Sequence, residues 1–237
     1  MIKTILFDLD GTLLDMDQEA FLRAYFKKIA GYFAARGYDP ARFSEAMFKS
    51  VHVMLNNDGR QTNEEIFWNT FPTLYGDERM RNDIPKFEVF YQTAFGELES
   101  LCKEKAGAVE MLKKLREMGF SIVLASNPVF PYIAYERRMK WGGLMPEMFD
   151  WLTTYENVHY CKPTEGYYAE IADRMGVKPE ECLMVGNDVS DDMPARKIGM
   201  QVFLMDDTLL LNPKNEDLSI YPRGDFDALV RYIEENR

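Results

Sequence analysis

Three cysteines and two histidines in 237 residues leave little from which to build a soft-metal or thiol-based site. Cys102, Cys161 and Cys182 are odd in number and show no metal-ligand spacing, and only His52 and His159 could supplement them. A disulfide framework and a structural zinc are therefore not expected. No apolar run reaches membrane-spanning length, and Lys3 with two carboxylates by residue 10 does not suit a signal peptide, so the expectation is a cytoplasmic protein with no membrane partner. Positive charge is also scarce. With 28 Lys and Arg against 39 Asp and Glu the net charge is −11, and an average surface of that sign repels nucleic acid. A phosphorylated small molecule would need a locally positive site. Internal repeats and low-complexity tracts are absent as well.

Apolar and aromatic residues are plentiful: 46% of the chain is hydrophobic, with 16 Phe and 13 Tyr. That is ample for one large domain or a core with a smaller insertion. Ile2 to Leu9 reads as a short buried strand running into Phe7-Asp8-Leu9-Asp10-Gly11-Thr12. Acidic groups at i and i+2 on a strand point to one side, so Asp8 and Asp10 are expected to face a common point where a divalent, oxygen-loving cation, Mg²⁺, offsets their repulsion. Gly11 permits a sharp turn with N–H groups near an incoming anion, and the Thr12 hydroxyl can bond beside it.

From Asp17 to Leu101 the pattern is helical. Phe21, Tyr25, Ile29 and Phe33 recur at helical period behind Asp17 as N-cap, and Pro40 opens a helix carrying Phe43, Met47, Val51 and Met54. Asn63 to Tyr75 and about Pro85 to Leu101 complete a four-helix insertion. From Lys105 strands and helices alternate, as in βαβ units. Strands are expected at Phe120 to Ala125, Phe149 to Thr154, Cys182 to Val185 and Gln201 to Met205, with helices at Tyr132 to Trp141, Thr164 to Met175, Asp192 to Ile198 and Asp225 to Glu235. The fold class is α/β: a Rossmann-like, doubly wound parallel sheet (residues 1–15 and 101–237) with an inserted helical cap (residues 16–100).

Each βα junction of this scheme brings one polar group to the same sheet edge: Asp8 and Asp10, Ser126 with Asn127, Lys162, then Asp188 with Asp192. Taken singly each reads equally well as a loop start, a solvated lysine or a helix cap. In order at successive strand ends they assemble an aspartyl nucleophile, a second carboxylate for proton transfer, a hydroxyl and a lysine for phosphate oxygens, and a metal. Elsewhere, Asp15 and Asp17 could line a flap or cap the next helix. Arg60, Arg79, Arg81 and Lys86 could meet a remote anionic group but read first as solvated surface, Trp68 as core, and His159 as a residue with no evident partner.

On these motifs the sequence resembles the haloacid dehalogenase superfamily, whose four motifs match Asp8-Leu9-Asp10-Gly11-Thr12, Ser126, Lys162 and Gly186 through Asp192. The resemblance implies that Asp8 attacks phosphorus to give an aspartyl-phosphate, and that Asp10 protonates the leaving group and then activates water. It implies that Ser126 binds phosphate oxygen together with Gly11, Thr12 and Asn127, and that Lys162 holds nucleophile and phosphate. Mg²⁺ would be bound by Asp8, the Asp10 carbonyl and Asp188, with Asp192 supporting the metal shell or Lys162. The usual fourth motif has Asp directly after Gly, whereas Asn187 intervenes here, so Asp188, Asp191 and Asp192 all stand as inner-shell candidates, Asp188 favoured. Members that hydrolyse carbon–halogen bonds lack the second carboxylate, so Asp10 implies phosphoryl transfer. The expectation is a Mg²⁺-dependent phosphatase on a small phosphorylated metabolite, a sugar phosphate or nucleoside monophosphate, acting as a monomer or weak homodimer. A phosphomutase using the same intermediate and a non-catalytic binding protein on the same fold are the alternatives.

Overall fold

The computed structural model describes residues 1–207 and 210–236. Its centre is β1 (Thr4–Phe7), whose four residues are all buried. The chain then makes a tight turn, forms the short β2 (Leu14–Met16), and enters five helices: α1 (Gln18–Ala34), α2 (Pro40–Leu55), α3 (Asn63–Tyr75), the single-turn α4 (Arg79–Asn82) and α5 (Ile84–Gln92). It returns through β3 (Cys102–Glu104), which pairs antiparallel with β2. The helical segment thus leaves and rejoins the rest through one two-stranded ribbon. There follow α6 (Ala108–Glu117), β4 (Ser121–Leu124), α7 (Tyr132–Trp141), β5 (Trp151–Leu152), α8 (Glu165–Met175), β6 (Cys182–Gly186), β7 (Gln201–Met205), β8 (Arg223–Gly224) and α9 (Phe226–Glu235).

Six strands form one parallel sheet in the order β5-β4-β1-β6-β7-β8. Order reverses at β1, so the crevice beyond its C-terminal end is where an open α/β sheet places a ligand. Side chains alternate across the sheet and build two cores. Ile5, Phe7, Ile122, Leu124, Leu183 and Val185 face α6, α9 and the helical segment, whereas Leu6, Val123, Met184, Val202 and Leu204 face α8.

The five helices pack around their own rings: Phe33 lies 4.8 Å from Phe43 and 4.2 Å from Phe87, and Phe43 lies 5.3 Å from Phe71. Asp17 caps α1 as its position suggests, accepting from the Ala20 N–H at 2.9 Å. Three expectations change in detail. The helix read from Pro85 to Leu101 breaks at Thr93, whose hydroxyl takes the Val89 carbonyl, and continues as a 3₁₀ segment over 94–101 that carries Phe95 onto Trp141. The expected helix near 192–198 is a 3₁₀ turn over 193–198. The strand read over 149–154 narrows to β5, at the sheet edge, although the bonds Asp150 N–H to Ile122 and Thr153 N–H to Leu124 continue its alignment.

Candidate active site

The strand ends of β1, β4 and β6 and the turn before α8 converge on one cavity of about 700 Å³ that the helical segment roofs. Asp8, Asp10, Ser126, Asn127, Lys162, Asp188, Asp191 and Asp192 all line it. Lys162 is 2% exposed, and its ammonium donates to Asp8 Oδ1 at 2.8 Å and to Asp192 Oδ1 at 2.6 Å. Burial works against that charge, yet Asp192 and Asp8 more than offset it and hold the lysine pKa well above its usual value. Burial pushes Asp192 the other way, toward the neutral acid, with Lys162 opposing. We assign the proton of this pair to the lysine.

Asp192 is in place because residue 186 is glycine. A Cβ there would lie 2.0 Å from Asp192 Oδ2, the atom that accepts the Asp188 N–H at 2.9 Å. Both Asp192 oxygens thus have protein partners, one Lys162 and the other the backbone, and the residue helps to hold Lys162 in place. Asp191 Oδ2 is taken by the Asn127 amide at 3.2 Å. Asp188, which lines the cavity, accepts two backbone N–H groups at Oδ1, from Ser190 and Asp191, which orients the carboxylate. Burial raises the pKa of both Asp188 and Asp191; Asp191 adds to the rise at Asp188, while at Asp191 Lys162 pulls back and Asp8 adds to the rise. The site is thus short of positive charge and offers oxygen donors only, which suits a hard divalent cation. Among the described residues no three His, Cys, Asp or Glu side chains form a ready-made ligand cluster. The carboxylates of Asp8 and Asp188 both line the cavity and suit such an ion.

Asp8 and Asp10 do not share one partner as their spacing suggests. Asp10 turns to a second cation, Arg138, whose Nη1 lies 2.5 Å from Asp10 Oδ2. The guanidinium is 1% exposed and sits between the Tyr135 and Phe130 rings, 4.6 and 4.7 Å from their centres. Burial raises the Asp10 pKa, Arg138 pulls it back, and the neighbouring Asp8 adds to the rise. Sequence reasoning missed Arg138 because Glu136-Arg137-Arg138 reads as a solvated run. The available signal is helical phase: Ala134, Tyr135, Arg138 and Met139 share the buried face of α7.

Gly11 and Thr12 do not reach the cavity. Gly11, at φ 82°, makes the turn, but its N–H is bonded to the Leu14 carbonyl at 2.8 Å and the Thr12 N–H to Leu9 at 3.2 Å. The Thr12 hydroxyl donates to Asn187 Oδ1 at 3.0 Å. The turn after β1 is thereby pinned to the end of β6, and the anion-binding part read for these two residues is withdrawn because their donors are already used. Asn127 Oδ1 remains buried without a partner. Of the cationic candidates on the helices, Arg60, Arg79, Arg81 and Lys86 pair with Asp58, Asp77, Glu78 and Asp83 on the outer surface, and His159 bonds Glu170. None of them lines the cavity. No helix of the described residues is long and apolar enough to cross a membrane.

Comparison with known proteins gives a consistent picture. The model of the haloacid dehalogenase-like hydrolases matches residues 2–199. A phosphoglycolate phosphatase of Xylella fastidiosa is 30% identical over 200 residues, covering 84% of this chain and 77% of its own. A glyceraldehyde 3-phosphate phosphatase of Methanothermobacter thermautotrophicus is 25% identical over 211 residues, covering 88% of each. The crystal structure of a HAD phosphatase from Thermococcus onnurineus superposes with a TM-score of 0.61 at 19% identity, over 98% of both chains, a likeness of fold.

Proposed function

The chain belongs to the haloacid dehalogenase-like hydrolases, and from that premise we propose that it is a Mg²⁺-dependent phosphatase of a small phosphorylated metabolite, acting through an aspartyl-phosphate on Asp8. The observation that carries this reading is the division of labour between two neighbouring carboxylates at the cavity floor, Asp8 on Lys162 and Asp10 on Arg138. A carbon–halogen hydrolase needs no proton donor for its leaving group, so a second carboxylate beside the nucleophile belongs to chemistry with an alkoxide leaving group.

Asp8, Asp188 and the Asp10 carbonyl would hold a Mg²⁺, which would supply the positive charge that a phosphate dianion needs in so acidic a site. Ser126, Asn127 and Lys162 orient the phosphoryl oxygens. The Asp8 carboxylate attacks phosphorus, the bond to the ester oxygen breaks, and Asp10 gives that oxygen its proton. Asp10, now ionised, takes a proton from water as the water attacks phosphorus, which frees Asp8 and releases inorganic phosphate. The roof of helices excludes bulk water during the first step and carries the contacts that choose the substrate. The test is direct. Acid-quenched protein incubated with p-nitrophenyl phosphate and Mg²⁺ should carry one phosphoryl group, located by mass spectrometry on the peptide containing Asp8 and absent with chelator. Turnover without any such adduct, or full turnover in chelator, would sink the assignment.

A further inference from the structure

Much of the cavity lining is made of rings: Phe21, Tyr25, Phe67, Phe87, Tyr91 and Phe130 all belong to it, Phe21 and Phe130 on the side of Arg138. Among the described residues the only lysine and arginine on the lining are Lys162 and Arg138, and each is already committed to a site carboxylate. The lining nevertheless holds further acid. Glu64, in the first turn of α3, and Glu156, in the turn after β5, lie close enough that Glu156 adds to the upward push that burial exerts on the Glu64 carboxyl. Neither has an ion-pair partner among the described residues. Glu156 Oε1 accepts the Tyr132 N–H at 2.8 Å, and its Oε2 is buried without a hydrogen bond. This placement is built in, because the Glu64 N–H donates to the Tyr155 carbonyl at 2.7 Å and the Asn63 N–H to Val158 at 3.0 Å, stitching the start of α3 to the loop that carries Glu156.

We propose that the alcohol part of the substrate is a largely apolar body that carries a positively charged amine and no second anion. This rests on the phosphatase reading above. Rings attract a cation through their negative faces and accept an apolar stem without loss, which is the arrangement used for quaternary ammonium groups. The two glutamates supply the net charge, and the amine supplies the partner that Glu156 Oε2 lacks. A second phosphate or a carboxylate on the substrate would meet Glu64, Glu156 and the rings with no lysine or arginine free to receive it, a like-charge placement that specific sites use to reject ligands.

Three para-substituted aryl phosphates test the proposal, the first two isosteric: para-(trimethylammoniomethyl)phenyl, para-neopentylphenyl and para-carboxymethylphenyl phosphate. The expected order of kcat/KM is cation, neutral, anion, with the cation ahead of its neutral isostere by ~10-fold, the worth of about 1.4 kcal/mol. In the Glu64→Gln/Glu156→Gln double variant the ratio of cation to neutral should fall toward one, a comparison internal to each protein that general losses of activity cancel. Equal or better turnover of the carboxylate ester, or a ratio that the double variant leaves unmoved, would overturn it. If no phosphate ester is hydrolysed, p-nitrophenyl phosphate included, the phosphatase reading fails, and calorimetry with benzyltrimethylammonium decides the cavity by itself. Binding to the native chain that is lost in the double variant upholds the cation site; no binding to either removes it.

Discussion

Arg138 is a full positive charge sealed under three rings, with one carboxylate for a counter-ion and its Nε and Nη2 left without hydrogen-bond partners. Removing one member of such a pair leaves the other charge buried alone, at a cost of roughly 3–5 kcal/mol. Arg138→Met should therefore lower stability by about that amount, read as the urea midpoint at unchanged slope. Arg138→Met combined with Asp10→Asn should recover a large part of the loss, since the orphaned carboxylate is gone too. Strictly additive losses in this cycle would mean that the pair is not coupled. Asp10 itself separates from Asp8 by leaving group. A p-nitrophenolate departs without a proton, so Asp10→Ala should give one burst of nitrophenolate followed by slow turnover, whereas Asp8→Asn should give neither. A burst from Asp8→Asn would reverse the roles. Polar groups in the turns between strands and helices stand out in sequence, so Asp8, Asp10, Lys162 and Asp188 were legible. Arg138, Glu64 and Glu156 were not, because a charged residue on a helix or in a turn reads as solvated until the packing that buries it is known.

Elements with local causes were legible and those set by distant packing were not. Period and caps suffice for α1, α2 and α3, and α3 is the clearest case. Thr62 accepts the Glu65 N–H at 3.2 Å while Glu65 returns a carboxylate oxygen to the Thr62 N–H at 2.9 Å, so two otherwise unpaired donors are satisfied at once. Thr62→Ala should cost about 1 kcal/mol. Because the same turn presents Glu64, the variant should also raise KM for a cationic ester more than for a neutral one. A stability loss with KM values moving in parallel would confine the box to folding. By contrast, β2 and β3 are three residues each and pair across 85 intervening positions. Nothing local marks them, since a strand that short is defined by its partner. The break at Thr93 is equally hidden, being imposed by the seating of Phe95 against Phe21 and Trp141.

Taken whole, the chain places its three thiols where they report separately on its parts. Cys182 lies under the sheet in β6, Cys102 in the ribbon at β3, and Cys161 beneath α2, with its sulfur 3.6 Å from the Met54 carbonyl. Burial pushes all three thiols up to about 12. The reactive form is the thiolate, so a raised pKa keeps each group neutral and inert at pH 8, and reactivity grows only as pH rises toward that value or as the thiol is exposed. Cys161 owes its cover to the helical segment, whereas Cys182 owes its cover to the core itself. If the roof lifts as a unit about the β2–β3 ribbon to admit substrate, Cys161 should be alkylated faster than Cys182 in native protein at pH 8, and a phosphate analogue with Mg²⁺ should slow Cys161 alone. In denaturant all three should react together. Equal, slow labelling of Cys161 and Cys182 in the native protein would show that the cavity is reached without lifting the roof, and the entry path would then have to run between the exposed edges of α2 and α5, past His52 and Glu88.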